Sequence, residues 1–414
     1  MLEVMLGIVV LVVLNNWLLL MNSLIIYMIV LLLKIYDEGE YLLKLVLIIL
    51  SVWLTIMMTM CVKSILKCFD LYIVFIFMLF SLWLVFYSES MIMFYLGFEM
   101  SVIPILLIIF GWGYQPDRLE AGLYMIMYTV FFSLPLLIGI FYLSFYHSIE
   151  SFLGYLMFML AFLVKFPMFG FHLWLPRAHV EAPVFGSMIL AGVMLKLGGY
   201  GIIKISFIVG DYIFIYSDYI FIMSIMGGLI LSGICFTQSD MKMLVAYSSI
   251  VHMSIVLSGL LTLREMGIYG AVYMMIGHGL CSSGLFCVLG LTYDRTFSRS
   301  LYLNKGVMML IPSCSLWWFL FCSSNLSFPP CLNLPGEIFL FISILSWSSS
   351  VYLIMGLMGL LSAMYSIYLF SFTQQGACLN YYSFRCFSVM ELLLMFLHWV
   401  PLNLLILDLS VMTF

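Results

Sequence analysis

Long uninterrupted apolar runs, separated by short clusters of charged residues, Pro, Gly and Asn, recur along this chain. The runs are roughly 18–25 residues long and rich in Leu, Ile, Met and Phe, the length a helix needs to cross hydrocarbon; a closed β-barrel would show shorter segments of alternating polarity. Breaking the chain at the polar clusters predicts about fourteen helical spans, over residues 4–20, 23–36, 41–62, 69–88, 90–111, 120–146, 151–175, 184–208, 212–233, 243–262, 267–292, 306–346, 348–372 and 386–407. The twelfth is too long for one crossing. It is interrupted at Ser327-Phe328-Pro329-Pro330 and again at Pro335-Gly336, which predicts two half-helices. The seventh carries Lys165 beside Pro167 and is the other candidate for a broken helix.

Composition agrees with the pattern. Hydrophobic residues make up 65% of the 414, charged residues 8%, and the mean hydropathy is +1.22, which places the chain among all-α polytopic membrane proteins. The run from Met5 to Leu20 follows an acidic residue and ends without a small-residue cleavage site, so it reads as a retained helix; no Arg- and Ser-rich leader is present. The ten cysteines form no CxxC pair and mostly sit in apolar runs, which suits small buried hydrophobes better than an iron–sulfur or zinc site.

Against that background, four ionisable residues lie at or near the middle of spans: Glu99, Lys165, Lys196 and Glu337. A charge at the bilayer centre costs about 2.5–3.5 kcal/mol even on the mildest scale, so their placement points to proton or cation transport. Lys165 with Pro167 and Glu337 with Pro335 also match the paired, proline-interrupted segments of an inverted-repeat transporter, although ordinary proline kinks beside helix-end charges would look the same.

Orientation follows from the basic residues. Loops after odd-numbered spans hold Lys63, Lys67, Arg118, Arg177, Lys242, Arg295, Arg299, Lys305 and Arg385, against Lys34, Lys44, Lys204 and Arg264 on the other side. Both termini are expected to face away from the compartment where the chain is made.

In hydrocarbon a lone amine sheds its proton, and a nearby carboxylate restores it. A Glu99 and Lys165 pair whose separation changes would therefore load and unload the lysine, with Lys196, His278 and Glu337 continuing the path through the membrane plane. His252, on the tenth span near the basic loop at Lys242, supports that path. Each has a plainer alternative: Lys165 could close a static ion pair with Glu99, and His278, between two glycines, could bond a neighbouring carbonyl. His172, His179 and Glu181 flank the Pro176-Arg177 turn and are expected at the interface as polar caps. His147 and Glu150 fall in a short loop, and Glu391 and His398 suggest helix packing.

No GxGxxG opens a βαβ unit, and neither GxxxxGK[ST] nor GxSxG occurs, so nucleotide binding and hydrolase chemistry have no local signature. Basic residues are too few and scattered for a nucleic-acid track.

Five stretches carry a resemblance: FYLGFEMSVIPILLIIFGWGYQPDRLEAG (Phe94 to Gly122), LVKFPMFGFHLWLPRAHVEAPVFGSMILAGVMLKLGGYG (Leu163 to Gly201), SDMKMLVAYSSIVHMS (Ser239 to Ser254), IGHGLCSSGLF (Ile276 to Phe286) and NLPGEIF (Asn333 to Phe339). Together they resemble the subunit 4 family of mitochondrial NADH:ubiquinone oxidoreductase, respiratory complex I. The likeness runs in order from about Glu89 to Gln375, and the first 85 and last 30 residues match only in hydropathy.

The resemblance implies about fourteen transmembrane helices holding two inverted five-helix repeats with broken helices 7 and 12. It implies a division into N-terminal helices (1–88), a Glu/Lys half-channel (89–209), a second half-channel (210–372) and a C-terminal helix (373–414). It implies an antiporter-like, proton-pumping subunit of the mitochondrial inner membrane, in which Glu99 pairs with Lys165 and Lys196, His278 and Glu337 continue the path. Partners would be sister antiporter-like subunits and lipids, with no nucleic acid. No cofactor would be held in this chain, since NADH, flavin, iron–sulfur clusters and ubiquinone would sit in other subunits. One departure is Phe297, where the family often has histidine, so a step that needs a titrating group there would be served by water or a neighbour. A stand-alone cation/proton antiporter is the alternative, and a purely structural membrane subunit a third reading.

Overall fold

The computed structural model describes residues 16–35, 42–146, 152–209, 211–377 and 386–409, with Gly7 and Val10. Most of the first expected span, with His147, Glu150, Cys378 and Arg385, lies outside the described residues.

Every regular element among the described residues is helical, as continuous apolar sequence in hydrocarbon requires: a helix satisfies its own backbone polar groups. In chain order these are α1 (Trp17–Ile35), α2 (Leu42–Cys61), α3 (Phe69–Tyr87), α4 (Met91–Met100), α5 (Val102–Trp112), α6 (Arg118–Tyr146), α7 (Phe152–Lys165), α8 (Trp174–Glu181), α9 (Val184–Ile189) and α10 (Leu195–Val209). Then come α11 (Asp211–Cys235), α12 (Met241–Leu261), α13 (Glu265–Thr296), α14 (Val307–Leu310), α15 (Pro312–Asn325), α16 (Asn333–Trp347), α17 (Tyr352–Gln374) and α18 (Val389–Leu404). Ten spans among the described residues are long and apolar enough to cross a membrane, and α7, α16 and α18 are shorter apolar helices. The chain is therefore a multi-pass, all-α membrane protein.

Two boundaries differ from expectation. The break expected between the first two spans near residues 20–23 falls inside the continuous α1, because Asn22 and Ser23 are tolerated in a helix interior, with the Ser23 hydroxyl bonding the Leu20 carbonyl. Nor does Pro335-Gly336 interrupt the twelfth span a second time. Both residues lie in the first turn of α16, where a backbone N–H has no helical partner and proline removes nothing. The main break lies over residues 326–332, between α15 and α16, and a non-helical Ile311 separates the short α14 from α15.

The break in the seventh span covers residues 166–173, between α7 and α8. Both breaks are closed in the same manner. Trp174 Nε1 donates to the Val164 carbonyl at 3.0 Å, and Asn333 Nδ2 donates to the Ser324 carbonyl at 2.9 Å. Each time a residue opening the second half satisfies a carbonyl left over at the end of the first.

Three spans sit at the centre: those over Val184–Phe207, Met241–Leu261 and Glu265–Thr296 are each 94% buried, against 28% for Arg118–Leu143 and Ser349–Gln374. In lipid no hydrophobic gain separates packed from unpacked helices, so close approach through small residues has to hold them. A Cβ on Gly270 would meet the Leu340 backbone nitrogen at 2.9 Å, and one on Gly336 the Met274 nitrogen at 2.9 Å. Glycine on both partners thus lets α13 and α16 touch backbone to backbone. Gly192 and Gly279 do the same where the turn before α10 crosses α13.

Charged groups gather at the two ends. At one, Lys63 pairs with Asp294 at 2.8 Å, Arg177 with Glu120 at 2.8 Å and Arg295 with Glu391 at 2.8 Å; at the other, a cavity collects Lys44, Glu89, Lys204 and Glu265. Glu391 also closes a capping box with Ser388 at the start of α18. Its helix-packing role and that of His398, buried with Nδ1 2.8 Å from the Leu394 carbonyl, match their sequence reading.

Candidate functional site

Lys165 is the last residue of α7, so the break that follows leaves its ammonium at the negative end of a half-helix. It is 3% exposed. Its Nζ donates to the Phe98 carbonyl at 2.7 Å and to Ser101 Oγ at 3.2 Å, and lies 3.5 Å from the centre of the Phe98 ring. The Phe98 carbonyl lies where α4 meets α5 and also accepts from the Ser101 hydroxyl at 2.7 Å.

Glu99, the neighbour of Phe98, lies within Coulombic range of Lys165 but forms no ion pair with it, and its Oε1 is buried without a hydrogen-bond partner. The expected closed Glu99–Lys165 contact is thus replaced by one to the adjacent carbonyl and hydroxyl, which the lysine reaches first.

Lys196 is the second residue of α10, just after a π-helical turn over Leu190–Met194. That wider turn presents the Ala191 carbonyl to the Lys196 ammonium, which also lies 3.2 Å from His278 Nδ1. Lys196 is 0% and His278 1% exposed. The close Gly192–Gly279 crossing is what allows residues from two different helices to meet at this distance.

From His278 the row continues. The rings of His278 and His252 are 5.7 Å apart between centroids. His252 Nδ1 lies 3.4 Å from Glu337 Oε1, and its Nε2 lies 3.3 Å from the hydroxyl of Tyr365. Glu337 is the fifth residue of α16, one turn in from the break that precedes it. His252, expected only to support the path, stands between His278 and Glu337. Tyr365 on α17 was not anticipated, although a phenol in an apolar span is a detectable polar handle.

Other residues fall elsewhere. Lys242, also read as supporting, turns away from this row: its Nζ donates to the carbonyls of Val180 at 3.2 Å and Ala182 at 3.0 Å, capping the end of α8. His172, His179 and Glu181 are all buried: His172 lies in the break before α8, and α8 packs beside α12 with Glu181 at its end against a cavity near the basic loops. Phe297 is 79% exposed and ends α13 in the left-handed region, φ 51°, remote in burial from the central row. Among the described residues no cluster of His, Cys, Asp or Glu is arranged to hold a metal ion.

Lys165 and Glu99 thus form one cluster, and Lys196, His278, His252, Glu337 and Tyr365 a second, with no hydrogen bond between the two lysines among the described contacts. The arrangement places titratable groups in series within the interior of the helical bundle.

Comparison with known proteins places the arrangement. Residues 88–364 match the family described as NADH:quinone oxidoreductase/Mrp antiporter, TM. The chain is 48% identical over 401 residues to NADH-ubiquinone oxidoreductase chain 4 of Ceratitis capitata, covering 92% of this chain and 89% of that one. To chain 4 of Aedes aegypti it is 50% identical over 331 residues, covering 75% and 73%. In fold it is similar to a chain of respiratory complex I from Thermus thermophilus with bound NADH, with TM-score 0.86, 19% identity and coverage of 97% and 94%. A chain of the Mrp complex from Dietzia sp. DQ12-45-1b is also similar, with TM-score 0.82, 15% identity and coverage of 97% of this chain and 50% of that one. Identity of this size over most of the length shows that the chain belongs to the NADH-ubiquinone oxidoreductase chain 4 family, within the NADH:quinone oxidoreductase/Mrp antiporter transmembrane proteins.

Proposed function

We propose that this chain is a proton-translocating core subunit in the membrane arm of NADH:ubiquinone oxidoreductase, seated in the mitochondrial inner membrane beside sister antiporter-like subunits. NADH, flavin, iron–sulfur clusters and ubiquinone then belong to other subunits, and this chain carries the proton movement that quinone reduction drives. Residues 89–209 supply the first half-channel and 210–372 the second, between N-terminal helices 1–88 and the C-terminal helix over 373–414.

The observation that supports this best is the run Lys196, His278, His252, Glu337, each beside the next, inside three of the least exposed helices of the molecule and one turn into α16. Glu99 and Lys165 are the switch ahead of it. With Lys165 bound to the Phe98 carbonyl and Ser101, a small movement toward Glu99 stabilises its proton, and a movement away releases that proton toward Lys196. Moving one charge against 100 mV costs about 2.3 kcal/mol, so modest changes in this geometry are sufficient.

Lys165→Ala in the assembled complex tests the reading. Fewer protons moved per NADH oxidised is the expected result, and an unchanged ratio refutes the assignment. The family also covers Mrp antiporters, which makes a self-contained cation/proton exchanger the second reading. Exchange of cations for protons by the purified chain in vesicles, without NADH, would favour it. A purely structural role is excluded if Glu99→Gln assembles normally but pumps less.

A further inference from the structure

The short helix α8 carries two buried ionisable groups that the central row does not use. His179 is fully buried, and neither ring nitrogen has a hydrogen-bond partner. Such a group is costly to maintain as mere packing, because an unsatisfied buried polar atom loses about 1–3 kcal/mol of hydration. Glu181 is 6% exposed, and its Oε2 is likewise buried and unpartnered.

Glu181 lines a cavity of about 300 Å³ at the end of the molecule that bears most of the basic loops. Asp117, Glu120, Arg177 and Asp240 share its wall. Arg177 is taken up by Glu120 at 2.8 Å. Arg299 approaches Glu181 only to 3.9 Å and gives a hydrogen bond to the Val180 carbonyl instead, while Lys242 is held by the two carbonyls on either side of Glu181. One oxygen of Glu181 is thus left without a partner, buried at the wall of an acid-lined cavity.

His179 points the other way, into the protein. Its ring stacks on Phe286 of α13 with centroids 4.5 Å apart and planes 4° from parallel. His278, Ser282 and Phe286 follow one another at four-residue intervals on α13 and share one face of it. The histidine ring therefore lies about two turns, or about 12 Å along the axis, from His278 on the side of the acid-lined cavity. Ser282 falls midway, buried, with its hydroxyl on the His278 carbonyl at 2.6 Å.

We propose that the acid-lined cavity is the proton inlet to the central row, with Glu181 collecting the proton and His179 and Ser282 passing it to His278 and Lys196. The proposal rests on the proton-translocating reading above and adds its uptake side. Glu181 and His179 are two residues apart and face different flanks of α8, so the first transfer runs through water from the cavity. A proton taken up at one ring nitrogen of His179 releases the one on the other, and the ring returns to neutral; no bond other than N–H and O–H is made or broken.

The test uses the assembled oxidoreductase in sealed vesicles, reading protons moved per NADH oxidised, with Lys165→Ala alongside. His179→Phe keeps the stack on Phe286 and removes both nitrogens; Glu181→Gln keeps shape and removes the titrating group. Both are expected to lose as much pumping as Lys165→Ala, while Glu181→Asp keeps the wild-type ratio. Wild-type pumping in His179→Phe and Glu181→Gln, with Lys165→Ala impaired, overturns the inlet and leaves the central row standing. An unimpaired Lys165→Ala would instead remove the row itself. Should His179→Phe fail to assemble, the Glu181 pair decides: equal loss in Gln and Asp variants means packing and overturns the proposal.

Discussion

His252 Nδ1 lies 3.4 Å from Glu337 Oε1 without the alignment of a hydrogen bond, while the opposite nitrogen of the same ring lies 3.3 Å from the Tyr365 hydroxyl. One imidazole thus touches a carboxylate one turn into the second half of a broken helix, a phenol on α17 and, across 5.7 Å, a second histidine. Contact without a locked bond suits a group that must rotate to hand a proton on.

Replacing His252 should therefore disconnect Glu337 from the row without dismantling the bundle. In His252→Gln the amide still reaches Tyr365, so the stability loss stays below about 2 kcal/mol. Protons moved per NADH should fall in vesicles carrying the assembled complex, while NADH oxidation in the presence of an uncoupler continues.

The backbone contact between α13 and α16 gives a stability prediction. A Cβ on Gly270 meets backbone nitrogen at 2.9 Å, whereas one on Gly356 meets nothing within 4 Å. Gly270→Ala should cost about 1–3 kcal/mol by overpacking, and Gly356→Ala should be neutral or stabilising by about 0.5–1 kcal/mol. Thermal melting of the purified complex, followed through this chain, separates the two.

Phe297 holds a left-handed backbone, φ 51°, at the end of α13 with its side chain 79% exposed. A β-carbon in that conformation costs about 1–2 kcal/mol, so Phe297→Gly should stabilise the chain by roughly 1 kcal/mol. Phe297→His should leave the pumping ratio unchanged, because the position faces out and not toward the relay.

Much of this site was legible in the sequence. Glu99, Lys165, Lys196 and Glu337 stand out because charge in a hydrophobic span is expensive, and His278 stands out between glycines that bring helices close. What sequence could not supply was which neighbour each would touch. Lys165 binds the Phe98 carbonyl and the Ser101 hydroxyl, a meeting of two helices that no periodicity along either one reveals. The central place of His252 depends on α12, α13 and α16 meeting, which is tertiary. Pro335-Gly336 misled because proline in a first turn and proline in a helix interior look the same until the helix start is known. His179 looked like an interfacial cap beside Arg177, yet α8 folds inward and buries it.

The central claim is that protons pass through Lys196 on their way from Lys165 to the His278, His252 and Glu337 row. Lys196→Met keeps the length and apolar stem of the side chain and removes the titrating nitrogen that now faces His278 at 3.2 Å. Measured in the assembled complex in sealed vesicles, protons translocated per NADH oxidised should drop while complex content stays normal. A ratio equal to that of the unsubstituted complex would contradict the account.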